Sequence, residues 1–238
     1  MSQNLIVQTK PKQQEQMALF SLKIASVADL FPGFSLGDFA VIHSAQSCAT
    51  ITSLLCVRAQ CKSNLNSNVL FIDGGNTYNS ALIARFASIH RLDPEQTLKR
   101  VSVQSVFTAY ELTMLVMEHL EELVQRFSTK LVVISDIAGL FLDEQIPEEE
   151  ARSVFNQLLF YLQSFAKEHK VIIVATYISR PDASRNFLLQ KLACVKANVV
   201  IGLRSTQYER TFELEKHPQY MLGSAEFSPD SVSLVDFM

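Results

Sequence analysis

Short, nearly unbroken apolar runs alternate with longer amphipathic stretches through most of this chain. The runs are Phe39–His43, Val69–Ile72, Leu131–Ile134, Val171–Thr176 and Val199–Leu203. A strand with one wet face alternates apolar and polar residues. Continuous Val, Ile, Leu and Phe instead predict strands buried on both faces, as in a parallel sheet. Between them the apolar positions take helical spacing. In 111–127, Leu112, Leu115, Val116, Leu120, Leu123, Val124 and Phe127 recur at steps of three and four, with Glu118, Glu121, Glu122 and Gln125 on the other side. After Pro147 come Glu148, Glu149 and Glu150, a proline-led start with acids facing the positive end of the helix dipole. Phe155, Leu158, Leu159, Leu162 and Phe165 form that helix's buried stripe. Asp93-Pro94 ahead of Glu95–Lys99 reads as an N-cap with proline in the first turn.

Strands alternating with helices predict right-handed βαβ units and a three-layer α/β domain. Beyond residue 199 the pattern changes. VVIGLR, a polar turn at Ser205–Glu209 and RTFELE predict an antiparallel hairpin at the sheet edge. Ligands of such sheets sit beyond the C-terminal strand ends, so the loops that matter are 44–51, 73–78, 135–147 and 176–198.

Composition narrows the class. Residues 1–18 are polar and rich in Gln and Lys, and read as a flexible tail ahead of one domain, 19–238. No apolar run approaches the ~18 residues of a membrane span, and MSQNLIVQTKPKQQEQ lacks the apolar core of a signal peptide. Cys48, Cys56, Cys61 and Cys194 form no metal-ligand spacing and read as free thiols in a reducing compartment. The net charge of −3 is unlike a dedicated nucleic-acid-binding domain, so any DNA contact must come from a local patch or a partner.

FAVIHSAQSCATITSLL, residues 39–55, has the strand, small-residue loop and helix of a phosphate-binding loop, without its glycines or lysine. The wider pattern explains the outline. FIDGGNTYNSALIARFASIHRLD from 71, its continuation to 125, KLVVISDIAGLF (130–141), VIIVATYIS (171–179), and the hairpin with KHP and AEF (216–227) resemble, in order and spacing, the RecA/RadA recombinase superfamily, above all archaeal RadA and its eukaryotic relatives. The resemblance covers roughly residues 24–237. It implies a RecA-like P-loop NTPase core, three-layered, with a mainly parallel sheet and a C-terminal antiparallel hairpin.

The functional positions depart from that family. Its GxxxxGK[ST] loop cradles phosphates on backbone amides, reaches them with lysine and binds Mg²⁺ through the hydroxyl. Here the matching residues are Ser44, Ala45, Gln46, Ser47, Cys48, Ala49, Thr50 and Ile51. Ser44 and Ala49 stand for the glycines, Thr50 for the lysine and Ile51 for the metal-binding hydroxyl. A one-residue shift restores a hydroxyl at Thr50 but no lysine. Ser135 takes the place of the family's metal-shell aspartate. Asp136 comes one residue later, an offset that in a strand points a side chain to the opposite face, so it reads as a plain strand-end or turn carboxylate rather than a metal ligand. Gly75 takes the place of the glutamate that activates water, leaving no general base. Lys216-His217-Pro218 replaces the Asp-x-Pro that caps a neighbour's nucleotide. The resemblance therefore implies a degenerate nucleotide site: no hydrolysis, no expected ATP cofactor, no metal and no catalytic residue.

In the family two loops meet DNA. The first, Leu142–Glu150, carries five acids and no base here and repels phosphates. The second, Ser179–Phe187, offers Arg180 and Arg185, with Lys191 and Lys196 beyond, as candidates for single-stranded DNA; an ordinary surface loop is the competing reading. The separate N-terminal DNA-binding domain of full-length recombinases is not expected. Their Phe-x-x-Ala linker has one counterpart, Phe20, with Lys23 in the alanine place. The partner's docking surface near 78–125 survives in outline.

The resemblance implies a non-catalytic paralogue that modulates a recombinase or its filament in recombination and repair. Its partner would be a RadA/RecA-type recombinase or another paralogue, with single-stranded DNA as a further candidate and no membrane. Its place would be intracellular: cytoplasm and nucleoid in a prokaryote, nucleus in a eukaryote. Two rival readings are an atypical ATPase borrowing a lysine, for instance Lys216 across an interface, and a stand-alone single-stranded-DNA-binding module.

Overall fold

The computed structural model describes residues 20–180, 184–205 and 210–227. The expected tail, 1–18, lies outside them. In chain order the elements are α1 (Ala25–Ala28), β1 (Phe39–Ser44), α2 (Ala49–Gln60), β2 (Asn68–Asp73), α3 (Ser80–Ile89), α4 (Pro94–Lys99), β3 (Val101–Ser105) and α5 (Ala109–Met114). A π turn (Leu115–His119) joins α5 to α6 (Leu120–Phe127), followed by β4 (Thr129–Ser135) and a 3₁₀ turn (Gly139–Leu142). Then come α7 (Glu148–His169), β5 (Ile172–Ile178), α8 (Ser184–Lys196), β6 (Val199–Ser205), β7 (Arg210–Lys216) and β8 (Gly223–Phe227).

The eight strands form one sheet in the order β3-β2-β4-β5-β1-β6-β7-β8. Strands β3 to β6 in that order run parallel, and β6, β7 and β8 pair antiparallel, as the hairpin pattern predicts. Alternate residues of each central strand feed opposite cores. Phe39 and Val41 pack with Leu70, Ile72, Val132 and Ile134 under α5 to α8. Ala40 and Ile42 pack with Val69, Phe71, Leu131 and Val133 under α2 and α3. Two apolar faces make the three layers. The predicted α7 stripe, Phe155, Leu158, Leu159, Leu162 and Phe165, is buried, each side chain contributing about 1.5–3 kcal/mol over an exposed one. Asp93 caps α4 through its carboxylate and the Gln96 amide at 2.7 Å. Among the described residues no helix is long and apolar enough to cross a membrane.

Two local features differ from expectation. The 111–127 helix is continuous in space but carries the π turn at its centre. Leu112, Val116, Leu120 and Val124 are its buried positions. Steps of four overshoot a 3.6-residue turn by roughly 40° each, and one wider turn returns the stripe to the sheet. The strand β3 is absent from the apolar pattern. It is the sheet's edge, only its first residue is buried, and Ser102, Gln104 and Ser105 occupy the places of apolar residues.

Strand β1 lies between β5 and β6. The loop after β1 therefore emerges mid-sheet, flanked by the C-terminal ends of β5 and β6 and by the start of β7.

Candidate functional site

The loop after β1 has four residues, Ala45–Cys48, before α2 begins at Ala49. Its own serines occupy backbone amides. Ser44 Oγ accepts the Gln46 N–H at 3.2 Å, and Ser47 Oγ accepts the Ala49 N–H at 3.3 Å. A phosphate cradle needs such amides free and converging. Thr50, expected in the lysine's place, is exposed, whereas Ile51, expected in that of the metal-binding hydroxyl, is buried in the core. Residues 51–60 are all buried, so α2 is sealed around its whole circumference. Cys48, at the helix start, is 5% exposed. Burial, with the Asp136 charge adding, pushes its thiol up to about 12, so it stays protonated and unreactive. A cavity of about 170 Å³ lies beside the loop, lined by Ser47, Thr50, Arg204, Arg210 and Phe212 among others. Typical small-molecule and cofactor pockets are larger, about 300–1,000 Å³.

At the ends of β2 and β4 the side chains bind each other. Ser135 Oγ donates to Asp73 Oδ1 at 2.5 Å and accepts the Gly75 N–H at 3.0 Å. The Asp73 carboxylate also accepts the amides of Thr77 and Tyr78 at 2.9 and 3.0 Å. This closed network folds the 74–78 loop back on its strand and satisfies a buried carboxylate.

Asp136 is not where a continued strand would put it. It follows the last residue of β4 and takes a left-handed conformation, φ 43°. The offset argument fails because the chain leaves the strand at this residue. Its N–H donates to Thr176 Oγ1 at 2.9 Å, and Oδ1 accepts the Ile178 amide at 3.2 Å. Arg180 Nη2 lies 3.6 Å from Oδ2. The carboxylate thus turns across to the end of β5. Burial raises its pKa against the opposing pull of the Ile178 amide and Arg180. Gly75 sits against it: a Cβ on Gly75 would stand 2.8 Å from Asp136 Cβ.

The four candidate DNA-binding cations do not converge. Arg180 faces Asp136, and its backbone N–H is held by Asn186 Oδ1 at 2.8 Å. Arg185 Nη1 donates to the Asp143 carbonyl at 3.1 Å. Lys191 is exposed in mid-α8, and Lys196, at the far end of that helix, has Nζ 5.3 Å above the Phe160 ring. At 1.5 Å per residue, Arg185 and Lys196 are roughly 16 Å apart along the helix axis. Lys216 donates from Nζ to the carbonyls of Cys194, Val195 and Ala197 at 3.3, 2.8 and 2.6 Å. It closes the C-terminal end of α8, where a cation meets the negative dipole end. His217 accepts the amides of Gln219 and Tyr220, so the KHP segment serves the chain's own fold. Phe20 is fully buried, bridged to Phe34 through the backbone.

The eight-stranded, mostly parallel sheet with its antiparallel β6–β8 end is consistent with a RecA-like core. The Rad51 family model covers residues 2–208 of this chain. The chain belongs to the Rad51 family. The match spans every parallel strand, β1 to β6, and so places this protein in the RecA/RadA recombinase superfamily. The Rad51 family is a DNA-dependent ATPase family of recombination and repair. Within this Rad51-family core, reading the sequence for chemistry missed Asp73, Thr176 and Asn186. Asp73 had a signal, a carboxylate ending an apolar strand before two glycines. Thr176 and Asn186 had none, since their partners lie 40 residues away and across a loop respectively.

Proposed function

We propose that this Rad51-family chain is a non-catalytic paralogue that modulates a recombinase, or that recombinase's DNA filament, in homologous recombination and repair. The observation that carries the reading is the loop after β1. It lacks the lysine, places Ile51 in the core, and spends the amides of Gln46 and Ala49 on its own serines. Ser135 and Gly75, at the metal-shell and general-base positions, support it as a concerted change, because Ser135 Oγ donates to Asp73 and accepts the Gly75 amide. Phosphoryl transfer depends on such charges and their positioning, and each loss costs orders of magnitude in rate.

The protein acts by contact, without ATP as a cofactor. A recombinase docks on the surface between 78 and 125, where β3 is an edge strand with one unpaired side. Passing that contact on needs a free linker phenylalanine, and Phe20 lies in this chain's own core. An end-capping or mediating role follows. An ATPase that borrows Lys216 is disfavoured by the three carbonyls on its ammonium. A stand-alone single-stranded-DNA module is disfavoured by the inward ties of Arg180 and Arg185.

The test is co-purification with the recombinase of the same cell, followed by strand exchange with and without this chain. Association and a changed exchange rate are expected. No association and no effect would remove the proposal. ATP hydrolysis by the pure protein, abolished by Thr50→Ala, would favour the enzyme reading instead.

A further inference from the structure

Away from the loop after β1, the C-terminal sheet edge carries a second concave feature. The turn from β3 into α5 and the segment from the 3₁₀ turn to α7 enclose a groove of about 510 Å³. Its floor is Ala109, Leu140, Leu142 and Ile146, and its open wall is Phe107 and Tyr110. Phe107 is 78% exposed and Tyr110 56%. Neither is loosely held. Glu111 Oε2 accepts the amides of Phe107 and Thr108 at 2.7 and 3.2 Å, while Thr108 Oγ1 accepts the Glu111 amide, a closed capping box. Tyr110 Oη donates to Glu150 Oε1 at 2.8 Å and ties the two walls together. The fold therefore holds the backbone at Phe107 and presents its ring to water beside an apolar trough, an arrangement that a partner's apolar side chain would relieve.

The rim fixes the charge of the occupant. Asp143 lines the groove and Glu150 is bonded to Tyr110 on its wall; Glu144, Glu148 and Glu149, next to them in the chain, are exposed as well. Arg185 reaches the same rim through the Asp143 carbonyl, while Asp143 Oδ1 accepts the Gln145 amide and Glu150 Oε1 the Tyr110 hydroxyl. Such a rim repels phosphates and attracts lysine and arginine. We propose that this groove is a docking site for a protein partner's basic peptide segment, seating a Leu or Phe side chain between Phe107 and Ile146 with flanking Lys or Arg on the acidic rim. Phe107 and Tyr110 belong to the 78–125 segment, just beyond the β3 edge, so the groove adjoins that docking surface. Peptide binding is measured directly, so it tests the groove whether or not a recombinase docks on β3.

Fluorescence anisotropy tests it with a labelled synthetic peptide of about fourteen residues, Leu and Phe at helical spacing and Lys or Arg elsewhere. The controls are the same peptide with Glu for every base, the same peptide with Ser for every Leu and Phe, and a single-stranded oligonucleotide. The basic apolar peptide is expected to bind, more weakly as salt rises from about 0.05 to about 0.3 M. Phe107→Ser and, separately, Asp143→Lys with Glu144→Lys weaken it about tenfold or more, while Met221→Ser, an exposed apolar residue elsewhere, leaves it unchanged. Circular dichroism and melting confirm that each variant is folded. The proposal is overturned if no peptide binds, if a control peptide or the oligonucleotide binds as well, or if both groove variants bind like the parent. It is equally overturned if sedimentation shows a self-dimer that Phe107→Ser dissolves. Strand exchange is scored separately, so loss of one result does not decide the other.

Discussion

Gly75, which the proposed function places at the family's general-base position, has neighbours too close for a simple return to glutamate. An alanine there brings its Cβ to 2.8 Å from Asp136 Cβ, 3.3 Å from Thr77 Cγ2 and 3.4 Å from Ser135 Oγ. Carbon atoms pack best at about 3.5–4.0 Å, so Asp136 must yield by roughly an ångström. It is poorly placed to do so. Thr176 holds its amide, Ile178 and Arg180 hold its carboxylate, and Gly139 already leaves no room for a Cβ on the other side. Overpacking of this kind costs about 1–3 kcal/mol. For a chain of this size that is a fall in Tm of about 2–12 °C, at 2–4 °C per kcal/mol. Gly75→Glu adds a carboxylate beside Asp136, lies at the destabilised end of that range, and releases no phosphate from ATP above the blank. The decisive assay is a double-mutant cycle by denaturant unfolding. Asp136→Gly removes the colliding Cβ at a position whose φ of 43° glycine adopts freely. The double variant is then expected to recover about 0.5–3 kcal/mol relative to additivity. A Gly75→Ala variant within about 0.5 kcal/mol of the parent, or costs that simply add, would refute the steric reasoning.

Other outcomes follow from the same coordinates. Phe20→Ala empties a fully buried site and is expected to cost about 3–5 kcal/mol without changing the sedimentation coefficient below its melting point; dissociation of an oligomer would show that Phe20 serves a neighbour. Lys216→Met removes the cation from three carbonyls of α8 and is expected to cost about 1 kcal/mol, read as faster amide exchange in 193–197 with β1 to β5 unaffected. His90 is pulled down to about 4 by burial, with the Arg58 and Lys23 charges adding to it. Its pKa lies below the unfolded value of about 6.5, so the unfolded chain takes up a proton first as pH falls. The stability tied to the neutral imidazole is whole above about pH 6.5 and is lost as pH falls toward 4. Melting curves of His90→Gln are expected to be flatter across that window; an unchanged slope would show that His90 does not set it.

The fold was legible in the chain wherever burial was two-sided. Strands β1, β2, β4, β5 and β6 are runs of Val, Ile, Leu and Phe, and their ends were read to within two residues. Proline and acids marked α7, and Asp93 marked α4, because caps are local chemistry. The edge strand β3 escaped because an edge needs no apolar run, and Ser102 and Gln104 carry no signal against a loop. At 44–51, 75 and 135 the sequence could be read for the residue types present, but not for the contacts those residues make. The Asp73–Ser135 bond spans 62 residues, and no spacing rule joins them. Asp136 reads as a strand-end or turn carboxylate and is one, but the direction of its side chain was not legible, for a sharper reason. Strand alternation holds only while the chain remains a strand, and a left-handed residue ends it.

The π turn between α5 and α6 means that this helix is one residue longer than its packing requires. Its apolar positions, 112, 115, 116, 120, 123, 124 and 127, run in steps of three, one, four, three, one and three. Deleting an exposed residue inside the turn, Glu118 for example, converts the four to a three. The stripe then repeats every 3.5 residues, which a regular helix holds against the sheet without a wide turn. Most helices in this fold would swing their buried faces by about 100° on losing a residue. Here the loss is absorbed, and such a deletion is expected to leave the melting temperature intact while the same deletion in α7 unfolds the protein. Length variation in this segment is therefore open to evolution in a way that it is not elsewhere in the chain.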